Sequence, residues 1–317
     1  RTMNPAFSVI FFTTASGAGY GLIALFGIGA MLGLLPDDRW FGGISLGVAL
    51  ALVSAGLLSS TFHLGHPERA WRAFSQWRTS WLSREGVLAV LTFVPAGLLW
   101  LVWVLCGPGI WTMILGPIAA ALALATVWAT AMIYASLKPI HQWHNKWVLP
   151  NYLAMALFTG GVLLYGLLHL WGPALALAGE AALVAGLIAL TLKRLYWNFI
   201  DRTQAESTPE TATGLGHLGK VRLFEAPHTE SNYLLKEMGF KVGRKHAAKL
   251  RRMTLIAGFY IPILLTMLAL TSAGQSVAVA SSLLSILSVA IGILAERWLF
   301  FAEAKHTVTL YYGAERV

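Results

Sequence analysis

FSVIFFTTASGAGYGLIALFGIGAMLGLL, Phe7–Leu35, runs for its whole length without a charged side chain. A helix needs about 20 mostly apolar residues to cross a bilayer, so this stretch is long enough to span one. It is also too long for the apolar core of a cleavable signal peptide, and is read as a first transmembrane span. Its apolar residues surround the helix rather than lining one face, the pattern of a helix in lipid. The same reading recurs along the chain and predicts eight spans: 7–35, 40–63, 84–106, 109–137, 148–171, 174–193, 252–273 and 276–302.

Composition agrees. Of 317 residues, 57% are hydrophobic and 12% charged, about half the usual share of charge, and the mean hydropathy is +0.66. The fold class predicted is therefore all-α integral membrane, a single polytopic domain over 1–317. The 23 Lys+Arg exceed the 14 Asp+Glu, for a net charge of +9. Because apolar spans split these charges among loops, a nucleic-acid partner is excluded in favour of anionic lipid and an acidic protein. The one cysteine, Cys106, rules out an internal disulfide and a thiolate-held iron–sulfur cluster, which needs about four thiolates.

Short breaks at Pro36–Arg39, Gly107–Gly109, Trp171–Pro173 and Ser272–Gln275 lie on one side of the membrane. The other side carries Gly65–Ser83, Lys138–Trp147, segment 194–251 and both termini. Arg39 is the one basic residue assigned to the short-loop side, against Arg69, Arg72, Arg78, Arg84, Lys138 and Lys146 before the long segment is counted. The positive-inside rule then places both termini and the long loops in the cytoplasm of a bacterial inner membrane.

Gly17 and Gly21 form a GxxxG pair, predicting a close helix crossing. Ser281, Ser285, Ser288, Gly292 and Glu296 follow helical spacing on the last span and read as a packing stripe rather than a substrate pathway. Segment 194–251 is polar and interrupted, with a flexible turn at Glu206–Thr213, ordered loop over Thr213–Thr229 and helical character over Asn232–Leu250. Leu215, Val221, Leu223, Phe224, Tyr233, Leu234 and Phe240 are too many apolar residues for a linker, so the segment is read as a cytoplasmic docking surface.

An ionisable group deep in a span costs roughly 2.5–3.5 kcal/mol on insertion scales. Seven residues need accounting for: His63, Glu85, His169, Glu180, Glu296, Arg297 and Glu303. His63 ends the second span on a strip with Gly56, Ser59 and Ser60. It fits a helix-capping histidine as well as a proton partner for a small redox molecule. Glu85 opens the third span at the same depth, where a carboxylate also suits the helix dipole. Arg297 nears the cytoplasmic end of the last span, either snorkelling or paired with Glu296 or Glu85. Glu180 and His169 lie towards the other face without an evident partner. Bundle haem commonly takes two axial histidines from facing helices; His63 and His169 are at opposite ends, which leaves a His63–His306 pairing as the one haem alternative, and no haem is expected.

The run Ser60-Thr61-Phe62-His63-Leu64-Gly65-His66-Pro67-Glu68-Arg69-Ala70-Trp71, with Ser80-Trp81-Leu82-Ser83-Arg84-Glu85 downstream, resembles the membrane anchor subunit of dimethyl sulfoxide reductase. The stretch from Tyr134 through Trp143 to Pro150 and Arg297-Trp-Leu-Phe-Phe fit the same family. The resemblance implies a haem-free anchor of eight helices that holds a molybdopterin catalytic subunit and an iron–sulfur subunit and exchanges electrons with quinone, either ubiquinone or menaquinone. It also implies that His63 and Glu85 bind quinone and move its protons, that Arg297 contributes beside them, and that Tyr134 and Trp143 line the pocket. The pocket is expected at the cytoplasmic edge between the second, third and last helices.

Gly214-Leu-Gly-His-Leu-Gly-Lys-Val-Arg-Leu-Phe-Glu-Ala-Pro-His-Thr229 departs from the reductase anchors and looks like the family members that accompany cytoplasmic sulfite dehydrogenase. With the motif on the basic face, this favours electron flow from sulfite to quinone, with 194–251 docking the iron–sulfur partner. The alternative within the family is a quinol-oxidising reductase anchor. Outside it stand a secondary transporter, disfavoured by the absence of a repeat and the scarcity of mid-membrane charge, and a purely structural anchor.

Overall fold

The computed structural model describes residues 7–61, 66–172, 175–203, 207–225, 246–312 and 314. Among these, eight helices are long and apolar enough to cross a membrane: α1 (Phe7–Met31), α2 (Arg39–Thr61), α3 (Trp81–Cys106), α4 (Ile110–Ala135), α5 (Val148–Trp171), α6 (Ala176–Arg202), α7 (Ala247–Thr271) and α8 (Gln275–Ala302). The number of spans and most of their ends are as the hydropathy predicts. The main correction is α6, which runs on to Arg202 rather than ending at 193. Lys193 is therefore inside the helix, about 13 Å from its end at about 1.5 Å per residue. The loop also ends earlier than expected, since α7 begins at Ala247.

Helices α1 and α5 are the most enclosed of the eight. Close crossings explain how α1 is accommodated: a methyl on Gly21 would run into the Ala156 carbonyl, and one on Gly160 into the Gly21 backbone. Gly17 differs, because a Cβ there meets nothing within 4 Å. Of the predicted GxxxG pair, one glycine makes a crossing and the other borders open space.

The stripe on α8 packs against α7, as its spacing predicts. Ser285 Oγ donates to the Pro262 carbonyl (3.1 Å) and lies 3.2 Å from Thr266 Oγ1; Ser288 Oγ donates to the Ala257 carbonyl (2.7 Å). Gly292 lies against the backbone of Gly258. Here α7 carries a π turn, Ile256–Tyr260, just before Pro262, whose missing N–H cannot continue the regular ladder. The carbonyl that accepts from Ser288 belongs to this π turn.

The two ends of the bundle are tied differently. At the short-loop end, Asp38 Oδ1 accepts from the Phe41 amide at the start of α2 (2.7 Å) and from Trp171 Nε1 of α5 (3.0 Å), while its carbonyl accepts from Trp103 Nε1 of α3 (3.0 Å). Asp38 is thus a helix cap that also joins three helices. At the long-loop end, Trp143 Nε1 donates to the Phe300 carbonyl (2.9 Å) and the Thr307 amide to the Pro139 carbonyl (3.0 Å). Arg251 forks onto Asp201 at 2.6 and 3.0 Å and reaches Glu303 at 2.8 Å, joining α6, α7 and the residue after α8. Burial pushes the Glu303 carboxyl above its usual range, and Arg251 opposes that rise.

Residues 207–225 include a short helix, Pro209–Thr213, in place of the predicted flexible turn. Thr208 caps it, with the Thr211 amide donating to its Oγ1 at 3.3 Å. Tyr311 Oη donates to the Ala212 carbonyl (2.8 Å), fastening this segment to the C-terminal region. Leu215, Leu223 and Phe224 are exposed there. The predicted helical stretch Asn232–Leu250 falls outside the described residues up to 245, and with it Tyr233, Leu234 and Phe240.

Candidate functional site

Glu85, in the first turns of α3, is buried at 5% exposure, and its carboxylate accepts a hydrogen bond from Thr130 of α4. Thr130 also donates to the Thr126 carbonyl (3.0 Å), so its hydroxyl is shared between helix and carboxylate. A buried carboxylate with one hydroxyl donor is under-solvated. It also lies within electrostatic range of Tyr20, Tyr134 and Tyr152.

Beside it a narrow cleft lies between α1, α4, α5 and α8. Thr14, Gly17, Tyr20, Thr130, Tyr152 and Arg297 are among its walls, with Val127, Met155, Ala156 and Ile293 supplying apolar surface. The buried hydroxyls of Thr14 and Tyr20 have no hydrogen-bond partner. Such groups are costly unless something supplies one.

Arg297 is fully enclosed. Its Nε donates to Glu296, one Nη lies 3.1 Å from the Met155 sulfur, and its plane stacks on Tyr152 with the guanidinium carbon 4.2 Å from the ring centre. Of the two partners expected for it, Glu296 is the one it meets. The other Glu296 oxygen takes Lys193 of α6, itself stacked over Tyr196 at 4.2 Å. Lys193, Glu296 and Arg297 are 1%, 0% and 3% exposed. The interior is therefore more charged than the sequence reading allowed.

Tyr134 and Trp143 stand behind the cleft rather than on its wall. Their ring centres are 5.2 Å apart, and both pack on Phe300 and Phe301. His63 lies outside the described residues, two positions past the end of α2. Glu180 is exposed on α6. His169 is buried near the short-loop end, edge-on to Tyr165 at 4.5 Å, and neither ring nitrogen has a hydrogen-bond partner. The structure thus gathers Glu85, Thr130 and Arg297 at one cleft and places Glu180 and His169 elsewhere.

Sequence reasoning missed Thr130, Tyr152, Tyr20 and Lys193. A signal existed for Lys193: Tyr196 and Trp197 follow three and four residues on, the helical spacing that folds aromatic rings under an ammonium. The threonine and tyrosines carry no charge and read like any span residue.

Eight spans define a multi-pass membrane protein whose buried Lys, Arg and Glu, among the described residues, gather towards the long-loop end. The protein belongs to the DMSO reductase anchor subunit (DmsC) family, which it matches over residues 3–313. It is 35% identical to a sulfite dehydrogenase subunit of Allochromatium vinosum, over 98% of its own length and 99% of that protein. It is 32% identical to an anaerobic dimethyl sulfoxide reductase polypeptide of Escherichia coli K12, over 38% of its own length and 42% of that one. A second E. coli polypeptide of the same description, YnfH, is 26% identical over 51% of this protein and 57% of its own length. These relatives are subunits of oxidoreductase complexes, and this protein is a membrane anchor subunit of that kind.

Proposed function

We propose that this protein is the quinone-reactive membrane subunit of a complex that oxidises sulfite on the cytoplasmic side of a bacterial inner membrane and passes the electrons to the quinone pool. The observation that carries the reading is the cleft: an apolar slot walled by Arg297 and by unpartnered hydroxyls, beside a buried carboxylate. The choice of sulfite rests on end-to-end similarity to a sulfite dehydrogenase subunit, against similarity to a dimethyl sulfoxide reductase polypeptide over 38% of this one. Direction and orientation rest on the basic long-loop face, where a molybdopterin subunit and an iron–sulfur subunit dock, the segment between α6 and α7 contributing to the surface.

Bound quinone supplies two-electron, two-proton redox chemistry. The protein's part is to bind, orient and protonate. Arg297 offers N–H donors to a ring oxygen, where its fixed charge favours negative charge as it develops. Tyr20 and Thr14 complete the polar contacts. Glu85, held by Thr130, is the proton carrier between the cleft and the long-loop side, and His63, two positions in sequence beyond α2, is the second proton-handling group. Protons and electrons then enter from one side, so the reaction itself moves little net charge across the membrane.

The test is His63→Leu in the purified complex. Sulfite-dependent quinone reduction is expected to fall by at least about 100-fold, with sulfite oxidation coupled to an artificial dye unchanged. Normal quinone turnover in that variant removes His63 from the site. A purely structural anchor predicts a complex that assembles, binds no quinone and ignores quinone-site inhibitors.

A further inference from the structure

The buried triad holds two cations and one anion. The Glu303 carboxylate lies within electrostatic reach of Lys193, whereas Arg297 has Glu296 as its one carboxylate partner among the described residues. Arg297 has five N–H donors. Its partners are one oxygen of Glu296, the Met155 thioether, which is a weak acceptor, and Tyr152. A guanidinium facing a free carboxylate closes onto both oxygens in a fork. Here Arg297 meets one oxygen, Oε2, while Lys193 reaches across from α6 and takes the other, Oε1. The rings of Tyr196 and Trp197, 4.2 and 5.1 Å from the ammonium, hold Lys193 in place from its own helix.

We propose that Lys193 is a positioning residue for the quinone cleft: by holding one oxygen of Glu296 it keeps Arg297 singly bound to that carboxylate, with N–H donors left for a carbonyl oxygen of the ligand. Lys193 does not line the cleft, whereas Arg297 does. The inference rests on the quinone reading and assigns its specificity. The occupant is recognised through an electron-rich ring oxygen, and a ring lacking that oxygen gains nothing from the triad.

Substitution separates this from simple packing. Lys193→Met keeps length and apolar contact but frees Glu296 to close on Arg297 with both oxygens, taking the triad from net +1 to neutral. Lys193→Met/Glu296→Gln removes both charges, restores net +1 and returns Arg297 to a single oxygen acceptor. Binding of short-chain 1,4-benzoquinone and 1,4-naphthoquinone to the detergent-purified complex, measured by isothermal titration, is the readout, with thermal unfolding alongside. Lys193→Met is expected to weaken binding about tenfold or more, the effect of losing one charge-assisted hydrogen bond. The double variant is expected to recover to within about threefold of wild type, whatever its melting temperature. A double variant that binds no better than Lys193→Met, or a single variant that binds like wild type, overturns the proposal. If Lys193→Met does not fold, the double variant decides alone: folded protein with lost affinity overturns it, and near-wild-type affinity supports it. Wild type that binds neither quinone overturns the underlying reading of the cleft instead.

Discussion

Glu85 is a carboxylate that the bundle buries and then half-satisfies. Thr130 supplies one hydrogen bond, and a buried carboxylate without further donors is left under-solvated. In Glu85→Gln the amide oxygen still accepts from Thr130, so the fold is kept while proton exchange is lost. Quinone reduction by the complex should fall about 100-fold or more, with quinone-analogue affinity changed less than about threefold. Steady-state kinetics beside titration check this, and equal rates would reduce Glu85 to a structural role. Glu85 and Arg297 were legible in the sequence because a charge inside an apolar window demands a reason. Lys193 was not, since a lysine at the edge of such a window reads equally as its end. What decided the matter was an interaction with α8, 103 residues away, which no local pattern contains.

At the scale of the helix, α8 shows why some patterns read through to structure and others do not. Small and hydroxylated residues at helical spacing predict a face that packs tightly, and Ser285, Ser288 and Gly292 do so against α7. The π turn at Ile256–Tyr260 was not foreseen, because the register slip depends on the partner helix as much as on Pro262. Gly292→Ala would drive a methyl into the Gly258 backbone. We expect it to destabilise the protein by about 1–3 kcal/mol, the usual cost of overpacking a close crossing, measured as a lower thermal midpoint in detergent. Gly17→Ala is the contrast, since nothing lies within 4 Å of its Cβ. It should leave the midpoint unchanged and weaken quinone binding by narrowing the cleft that Gly17 lines. The GxxxG pattern on α1 could not distinguish these two roles, because a glycine opposite a backbone and a glycine opposite a void look alike in sequence.

For the whole molecule, the number of spans and most of their ends follow from hydropathy, since lipid leaves little choice of architecture. The charge asymmetry predicts an orientation, which one native residue can test. Cys106 is exposed at the short-loop end of α3 and is the one cysteine of the sequence. A membrane-impermeant maleimide should label it in intact spheroplasts, while inverted vesicles stay unlabelled; the reverse pattern would turn the docking face outward. The cleft itself was only partly legible: Arg297, its charged wall residue, was, whereas its position among α1, α4, α5 and α8, instead of the second, third and last spans, depends on how glycines let α1 settle in the centre. The account's central claim is that electrons from sulfite reach quinone through this subunit. The most direct measurement is sulfite-dependent reduction of a short-chain quinone by the purified complex, followed beside dye-coupled sulfite oxidation. The account predicts that both proceed and that quinone-site inhibitors stop the first alone. Dye-coupled oxidation without quinone reduction, or a complex that only reduces dimethyl sulfoxide with quinol, would contradict it.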